Sequence, residues 1–360
     1  MINMDTGKVI KILENTKERT KVLIELDGKI NPAINYNYIT GNIKINDIVL
    51  LNTTAVDLNL GTGGYHFIIY NFSYLYKGSK REGHIIKCRY HPLQLRVLAA
   101  EEEGSPYHNI FADFNTLNRF PVIVGTLHSM LAPTVATIKY IDENIKIAYI
   151  MTDAASLPIY FSDSVYELKA KGLLDTTITV GHAFGGDIET VTIYNGIIAA
   201  KHIAHCDIAI VTMGPGIVGT STPYGFTGIE QGYILDIIND LGGIPIGIPR
   251  LSFADSRERH KGISHHSLTV FGKVMKTRCD LILPTLDKNR AKYIYEQLEN
   301  LKINNKHNII EVSGNILYKV IKKHNLNFNT MGRGFFDDPD FFITCGAAGL
   351  YGYGRININN

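Results

Sequence analysis

Five segments in the C-terminal part of the chain contain most of the residues that could do chemistry. Each segment follows an apolar run, and together they supply His128, Asp153, His182, Asp187, the loop from Gly214 to Thr222, and Arg250. Histidine and aspartate side chains can move protons or bind metals, while glycine-rich, hydroxyl-rich loops can present backbone N–H groups to an anion. The combination is typical of a small-molecule site.

The sharpest single motif is the loop Gly214–Thr222. Its first six residues match GxGxxG after a strand-like run, the pattern of dinucleotide-binding folds. A dinucleotide turn passes directly into its helix, whereas this loop continues through Pro223 and Gly225, and the next apolar run ends in Arg250 instead of an acidic residue. NAD(P) is therefore disfavoured, although Arg250 could still bind the 2′-phosphate of NADP. The usual P-loop is excluded because the Gly-Lys-Ser/Thr sequence is missing.

We predict that this loop binds an anion, with a purely structural turn as the alternative. The residues expected to hold a phosphate or carboxylate are Gly214, Gly216, Gly219, Thr220, Ser221 and Thr222, with Arg250 as a charged clamp.

The histidines suggest three alternatives. In the first, His182 or His128 is a general acid/base, and His260 and His265 reach over the same site. Asp153 or Asp187 would orient the histidine in this scheme. In the second, the aspartates and histidines hold a divalent metal. The sequence has no HExxH or HxH pattern, and the adjacent His265 and His266 would diverge by about 100° on a helix.

The third alternative is structural. Ser264 is a good helix N-cap, and Asp153 could equally form a cap or an Asx-turn. Glu230 fits a capping box with Thr227, which makes a role in a site secondary. Asp187 could favour the dipole of a helix predicted over residues 188–205.

The elements that must position these residues alternate between strand and helix over residues 116–360. The strand-like runs are PVIVG, IKIAYIM, TITVG, DIAIVTM, IPIGIP, DLILP and NIIEVS, with helical patterns between them. Such runs predict a doubly wound, mostly parallel sheet with helices on both faces. Connections from helix to strand are short, whereas those from strand to helix are long and carry the candidate residues. The site is therefore expected at the carboxyl ends of the strands.

Residues 1–115 have a different pattern, with short β-rich runs separated by turns such as Asp27-Gly28 and Gly61-Thr62-Gly63-Gly64. This predicts a small antiparallel β-barrel of the oligonucleotide-binding or SH3-like type. Basic and aromatic residues at Arg89–Pro92 and Arg96 could contact single-stranded nucleic acid, but neighbouring glutamates reduce the positive charge of that patch. Nucleic acid is therefore not expected as a partner.

Composition describes an ordinary globular protein. Hydrophobic residues make up 45% of the 360 residues and the net charge is only +2, so nothing predicts a general affinity for nucleic acids or anionic membranes. The four cysteines form no CxxC pair, and no apolar run is long enough to span a membrane. We expect a cytoplasmic protein, and a homo-oligomer is left open.

Several segments together resemble one known family. The runs GTLHSMLAPTVATIKYI, IMTDAASLPIYFS, GHAFGGDIE, CDIAIVTMGPGIVGTST, GFTGIEQG and PRLSFADSRERHKGISHHSLTVFGK are similar to the bacterial domain-of-unknown-function family 3866. So is the N-terminal run INDIVLLNTTAVDLNLGTGGYHF. The family is uncharacterised, so the resemblance implies a bacterial, cytoplasmic protein and no substrate.

The function expected from the residues is an enzyme acting on a small anionic metabolite, phosphorylated or nucleotide-like, at the carboxyl edge of the sheet. The alternative is a ligand-sensing module in which the barrel contacts a protein or RNA partner. A scaffold without a ligand is the third possibility.

Overall fold

The chain forms two compact units. The computed structural model describes residues 2–59, 63–78, 82–153 and 155–356. The first unit comprises Met1–Glu82 with Tyr90–Gln94, and the second comprises Gly83–Arg89 with Leu95–Asn360. The boundary drawn from the sequence places residues 95–115 in the first domain, whereas their contacts lie in the second unit.

The first unit is a closed five-stranded barrel. Its strands are β1 (Met4–Asn15), β2 (Arg19–Leu26), β3 (Lys29–Tyr36), β4 (Ile48–Asn52) and β5 (His66–Asn71). The order is β1-β2-β3-β5-β4, closed by pairing of β4 with β1, and only β3 and β5 run parallel. Alternate residues such as Val22 and Ile24 fill the interior. Of the two predicted barrel types, this strand order is that of the oligonucleotide-binding fold.

Two short helices, α1 (Asn37–Thr40) and α2 (Thr54–Asp57), interrupt the barrel. The apolar pattern of DIVLLNTTAVDL, residues 47–58, predicts one strand, but only Ile48–Asn52 is a strand and α2 follows it. The carboxylate of Asp57 accepts hydrogen bonds from Thr53 Oγ1 (2.6 Å) and Asn3 Nδ2 (3.0 Å), and these bonds close the chain into a turn after β4. In the predicted glycine-rich turn, Gly61 and Thr62 lie outside the described residues.

The second unit begins with the hairpin β6 (Ile85–Lys87) and β7 (Leu95–Val97), followed by α3 (His108–Ala112). The β-rich run EGHIIKCRY, residues 82–90, predicts a further strand of the barrel, but its strand β6 pairs with β7 outside the barrel. Lys87 fixes it in place. Its buried ammonium group donates to the carbonyls of Thr179 and Ala183 and pairs with Glu189 at 2.7 Å.

The described residues of the second unit add twelve further strands. They are β8 (Pro121–Val124), β9 (Ile147–Thr152), β10 (Thr176–Thr179), β11 (Ile188–Glu189), β12 (Ile208–Met213), β13 (Ile244–Gly247), β14 (Leu251–Ser252), β15 (Gly262–Ile263), β16 (Asp280–Pro284), β17 (Asn308–Val312), β18 (Asn329–Thr330) and β19 (Arg333–Gly334). Eight of them form one sheet in the order β11-β10-β9-β12-β8-β13-β16-β17, with every neighbouring pair parallel. All seven predicted strand-like runs are in this sheet.

Helices cover both faces of the sheet. They are α4 (Leu131–Ile141), α5 (Asp163–Ala170), α6 (Ile193–His202), α7 (Glu230–Asp240), α8 (His265–Thr269), α9 (Lys288–Asn300), α10 (Ile303–Lys306), α11 (Leu317–His324) and α12 (Pro339–Ile356). Alternate strand residues enter opposite cores. Ile123 packs with α4, α5, α11 and α12, while its neighbours Val122 and Val124 pack with α6, α7 and α9. The predicted doubly wound architecture is confirmed.

The helix predicted over residues 188–205 is shorter than expected. Ile188 and Glu189 form β11 beside β10, and α6 begins only at Ile193. Thr192 sets this start, because its side chain accepts a hydrogen bond from the backbone N–H of Asn195. Among the described residues, no helix combines the length and apolarity needed to cross a membrane.

The small residues Gly346-Ala347-Ala348-Gly349, near the C-terminus, belong to the tightly packed helix α12. In α12, Gly349 lies against α4, and a Cβ atom at Gly349 would stand 2.7 Å from the carbonyl oxygen of Thr134. That oxygen belongs to backbone and cannot rotate away. Gly354, on the exposed side of the same helix, is different, since a Cβ atom there would have no neighbouring atom within 4 Å.

We expect Gly349→Val to lower the free energy of unfolding by about 1–3 kcal/mol, because α12 and α4 must move apart. Gly354→Ala should leave it unchanged or raise it by up to about 1 kcal/mol, since alanine favours helix. Urea unfolding followed by circular dichroism measures both. Equal stabilities for the two variants would contradict the close approach of these helices.

Candidate active site

The topology predicts a crevice between β9 and β12. These strands are neighbours in the sheet, but β9 leads through α5 to β10 on one side, whereas β12 leads through α7 to β13 on the other. The helices α5 and α7 also lie on opposite faces. Ligands of open α/β sheets bind where neighbouring strands diverge in this way, beyond their carboxyl ends. The loops after β8, β9, β12 and β13 surround this point.

Glu230, the first residue of α7, lies at this crevice. Its Oε1 accepts a hydrogen bond of 2.5 Å from the hydroxyl of Thr152, the last residue of β9. Burial raises the pKa of Glu230 to about 7, and the charge of Asp153 adds to the rise, while the Thr152 hydrogen bond opposes it. A carboxyl group with this pKa exists in both protonation states near neutral pH.

Asp153 is held beside Glu230 by the loop after β10. Its Oδ2 accepts a hydrogen bond from the backbone N–H of His182 at 3.0 Å. A Cβ at Gly181 would lie 2.3 Å from this oxygen, and Gly181 has a φ of +61°, so the position requires glycine. Tyr233, one turn after Glu230, has its pKa raised to about 12 by burial and by the charges of Glu230 and Asp153.

Glu230 is a candidate site residue to which sequence analysis assigned only a secondary role. The predicted capping box with Thr227 is wrong, because residues 227–229 form a 3-10 turn and α7 starts at Glu230 itself. Thr227 Oγ1 instead accepts a hydrogen bond from the backbone N–H of Val218. The bond between Glu230 and Thr152 spans 78 residues. The only sequence signal was an acidic residue at the end of a long loop leading from strand to helix.

Several buried polar atoms around the crevice have no partner in the described part of the chain. Gln231 is fully buried, and its Nε2 donates to the carbonyls of Val124 and Ile248 at 2.8 Å each, but its Oε1 is unpaired. Thr126, which is 4% exposed, has an unpaired hydroxyl. Leaving such a group unpaired costs about 1–3 kcal/mol. Unpaired atoms at the carboxyl edge of a sheet are therefore positions for a ligand or water.

The predicted anion loop folds into a hairpin. Gly219 bridges Phe226, and the backbone N–H of Thr220 donates to Gly225 O at 2.8 Å. The exposed tip carries Thr220, Ser221 and Thr222, and the hydroxyls of the two threonines are 2.9 Å apart.

The base of the hairpin lies near the end of β9. Side chains at Gly214 and Gly216 would begin 3.0 Å from Met151 Sδ and 3.5 Å from Ala155 Cβ, respectively. Gly216 has a φ of +113°, which favours glycine.

Three histidine rings gather on the other side of this hairpin. The ring of His266 stacks on Phe226 at 4.0 Å, and a Cβ at Gly219 would lie 3.2 Å from His266 Cε1. The rings of His260 and His265 lie 5.6 and 4.0 Å from that of His266. The expected divergence of His265 and His266 is therefore wrong, because their rings contact each other. The predicted Ser264 cap is confirmed, since its side chain accepts a hydrogen bond from the backbone N–H of His266.

These histidines are held in the neutral form. Burial and the charges of neighbouring arginines lower the pKa of His260 to about 3, and burial with neighbouring positive charge lowers that of His266 to about 4. Nε2 of both His265 and His266 is buried without a partner in the described chain. No group of three or more histidine, cysteine or acidic side chains among the described residues is arranged to hold a metal ion.

A buried ionic network lies under the histidines. Arg250 is 8% exposed and contacts His260 Nδ1 at 3.2 Å and Asp255 Oδ2 at 2.9 Å. Asp255 also binds Arg257 and lies 3.6 Å from Arg333, and these hydrogen bonds and charges hold its pKa well below the usual range. Asp338 accepts from Ser252 and Arg333. The network thus contains three guanidinium groups, of Arg250, Arg257 and Arg333, and two carboxylates, of Asp255 and Asp338.

The remaining predicted residues have structural partners. His128 Nδ1 contacts Tyr149 OH at 3.1 Å and its Nε2 contacts Ser162 Oγ at 2.6 Å, so both nitrogens are engaged. Burial lowers its pKa to about 4. Asp187 pairs with Lys169 and accepts from the backbone and hydroxyl of Thr177, near the start of β10.

His182 lies beside the crevice, in the loop that holds Asp153. Its Nδ1 accepts from the backbone N–H of Cys88 at 3.1 Å, and its Nε2 lies 3.4 Å from Arg89.

The raised pKa of Glu230 predicts a pH-dependent stability. The folded state binds this proton more tightly than the unfolded state, so the stabilisation is complete below about pH 4.5 and is lost as pH rises through 7. Glu230→Gln stays neutral throughout. The unfolding free energy of the native protein relative to this variant should fall by roughly 2–3 kcal/mol between pH 5 and 8. Glu296→Gln, at an exposed position on α9, is the matched control for the loss of one carboxyl group.

Comparison with known proteins gives a family and no activity. The family model described as "Protein of unknown function (DUF3866)" matches residues 32–349, which include all the crevice residues described above. The search of the curated proteins found no match. The chain belongs to the DUF3866 family of proteins of unknown function.

Proposed function

We propose that this protein is an enzyme that acts on a small anionic metabolite in the crevice between β9 and β12, with Glu230 as its general acid/base. The observation that carries the proposal is the pKa of about 7 at a carboxyl group next to Thr152 and Asp153. A general acid/base works best when its pKa is close to the working pH. Strongly shifted pKa values at a crevice are a mark of active sites.

The two carboxyl groups have distinct roles. Asp153, held by the backbone N–H of His182, supplies a fixed negative charge that favours the protonated form of Glu230. Glu230 then delivers or takes the proton. We assign this role to Glu230 instead of His128 or His182, because hydrogen bonds occupy both nitrogens of His128 and Nδ1 of His182.

The side of the 214–226 hairpin that faces the three histidines supports an anionic substrate. The network around Arg250 holds more guanidinium groups than carboxylates, and His265 and His266 present unpaired nitrogens. A neutral imidazole carries one N–H donor, which can bind a phosphate or carboxylate oxygen. A phosphorylated or nucleotide-like metabolite suits this arrangement, with the hydroxyls of the Thr220–Thr222 tip as further donors.

We also propose the cytoplasm as the compartment. The cysteines Cys88, Cys206, Cys279 and Cys345 are all free thiols, and three of them are buried. A reducing environment keeps thiols in this state.

The second candidate is a ligand-sensing protein that binds the same metabolite without converting it. It is favoured by the separate barrel, which has a cleft of its own. The two candidates differ in turnover. In the enzyme, Glu230→Gln should bind substrate and lose about 10²- to 10⁴-fold in kcat. In the sensor, neither the native protein nor the Glu230→Gln variant converts the ligand.

Ligands can be found by thermal unfolding of the full chain against nucleotides, sugar phosphates and organic acids, with and without Mg²⁺. A ligand at 100 times its Kd adds about 2.7 kcal/mol, a rise in Tm of roughly 5–11 °C. We expect a rise confined to one phosphorylated class and abolished by Gly216→Val, which strains a backbone at positive φ. Flat curves across the panel would contradict the proposal.

The ligand so identified then serves as substrate for kinetics. Asp153→Asn should lower the pKa of Glu230 and shift the acidic limb of the kcat profile to lower pH, while leaving the fold intact. Glu296→Gln, which removes an exposed charge on α9, should match the native protein in kcat and KM. A kcat unchanged in Glu230→Gln would remove Glu230 from the mechanism.

A further inference from the structure

A second cleft lies within the barrel unit, at the end where β1 turns into β2 and β3 runs into α1. Its volume is about 490 Å³. The side chains that give it chemical character are Lys17, Tyr38, Lys44, Tyr74 and Tyr76. Tyrosine rings are flat surfaces for stacking, and lysines supply positive charge. None of these residues belongs to the crevice of the second unit.

The walls of this cleft are fixed by specific contacts. Tyr76 packs over Gly41, where φ is +81° and a Cβ would lie 3.0 Å from the tyrosine ring. On the opposite wall, Asn37 accepts from Thr20 Oγ1 at 3.0 Å and Asn35 Nδ2 at 2.8 Å. The contact with Tyr76 therefore depends on glycine at position 41, and the asparagine wall is hydrogen-bonded in place.

The charge balance of the cleft favours an anion. Lys17 and Lys44 are exposed, and neither forms an ion pair within the described part of the chain. The one acidic residue in the lining, Asp47, is already engaged. Its Oδ2 accepts from the backbone N–H of Lys44 at 2.8 Å and from Asn71 Nδ2 at 2.7 Å. Two unpaired ammonium groups therefore remain for a ligand.

Exposed aromatic residues also precede the cleft residue Tyr74 in the chain. Tyr70, Phe72 and Tyr74 occur at every second position from β5 onward, with exposed fractions of 41%, 57% and 56%. The rings of Tyr70 and Phe72 contact each other edge to face at 5.3 Å. Large aromatic side chains seldom remain this exposed in a row unless they bind something.

We propose that this cleft binds single-stranded nucleic acid, with bases stacked on the tyrosines and phosphates near Lys17 and Lys44. Aromatic platforms interleaved with lysines are what a flexible strand with unstacked bases requires. The expectation that nucleic acid is not a partner rested on the low whole-chain charge and on the glutamates around the patch that contains Arg89 and Arg96. Both arginines belong to the second unit, so their patch is distinct from this cleft.

The test is fluorescence anisotropy of the full chain with a labelled oligo-uridylate of about 12 nucleotides, within the span that one such barrel covers. Tyr74→Ala should weaken binding by about 5- to 150-fold, the loss expected for one stacked base. Tyr74→Phe keeps the ring and should bind like the native protein. Because Tyr74 is more than half exposed, circular dichroism should show both variants folded.

The lysines are tested through salt dependence. Replacing Lys17 and Lys44 by alanine should reduce the slope of log Kd against log salt concentration by about 1.4, since each phosphate contact on a single strand contributes about 0.7. The matched control replaces Lys8 and Lys29, exposed lysines of the same barrel that do not line the cleft. That variant should retain the native slope.

Three results would overturn the proposal. One is binding of a duplex as tightly as the single strand. Another is competition by uridine monophosphate that equals the oligomer at the same nucleotide concentration, which would assign the cleft to a free nucleotide. The last is native affinity in Tyr74→Ala. None of these depends on Glu230, so the result stands apart from the proposed activity of the crevice.

Discussion

A carboxyl group buried against a hydroxyl, and not against a cation, sets the chemistry at the carboxyl edge of the sheet. Burying a charge without a counter-charge is expensive, so Glu230 takes up a proton more readily than an exposed glutamate. The hydrogen bond from Thr152 replaces only part of the solvation that water gives to an exposed carboxylate. Asp255, in the same unit, receives hydrogen bonds and positive charge from arginines and stays ionised. The fold therefore shifts the pKa values of these two acids in opposite directions, and of the two, Glu230 is the one whose charge can change near neutral pH.

The position of Glu230 depends on its neighbour in the chain. Gln231 donates to the carbonyl oxygens of Val124 and Ile248, where β8 and β13 end and their backbone pairing ceases. Two hydrogen bonds from one side chain fix the first turn of α7 against the strands. The carboxyl group of Glu230 then has little freedom left, and Thr152 takes up one of its oxygens. Such support is what keeps a proton-transferring group in productive geometry.

The periodicity of apolar residues predicted the sheet correctly. All seven strand-like runs belong to the sheet because continuous apolar segments with helices between them have few other ways to be buried. The long loops after β9 and β12 predicted a site at the carboxyl edge, since parallel strands present their carboxyl ends together.

The parts that failed depend on contacts distant in sequence. Glu230 was assigned to a local cap, because its partner Thr152 is 78 residues away. Ser264 was correctly predicted as the helix N-cap, but the rings of His265 and His266, expected to diverge, lie 4.0 Å apart. The side-chain environment of a residue near the end of an element depends on tertiary packing, which periodicity does not encode.

The two sides of the hairpin formed by residues 214–226 differ in electrostatic character, and this bears on how a substrate would lie. Gly216 approaches the loop after β9, where Asp153 and Glu230 place negative or neutral carboxyl groups. Gly219 approaches His266, above the guanidinium groups of the Arg250 network. An anionic group is repelled by the first side and attracted by the second. In the proposed enzyme, the substrate's charged end would therefore bind on the histidine side, which leaves its uncharged reacting atoms toward Glu230.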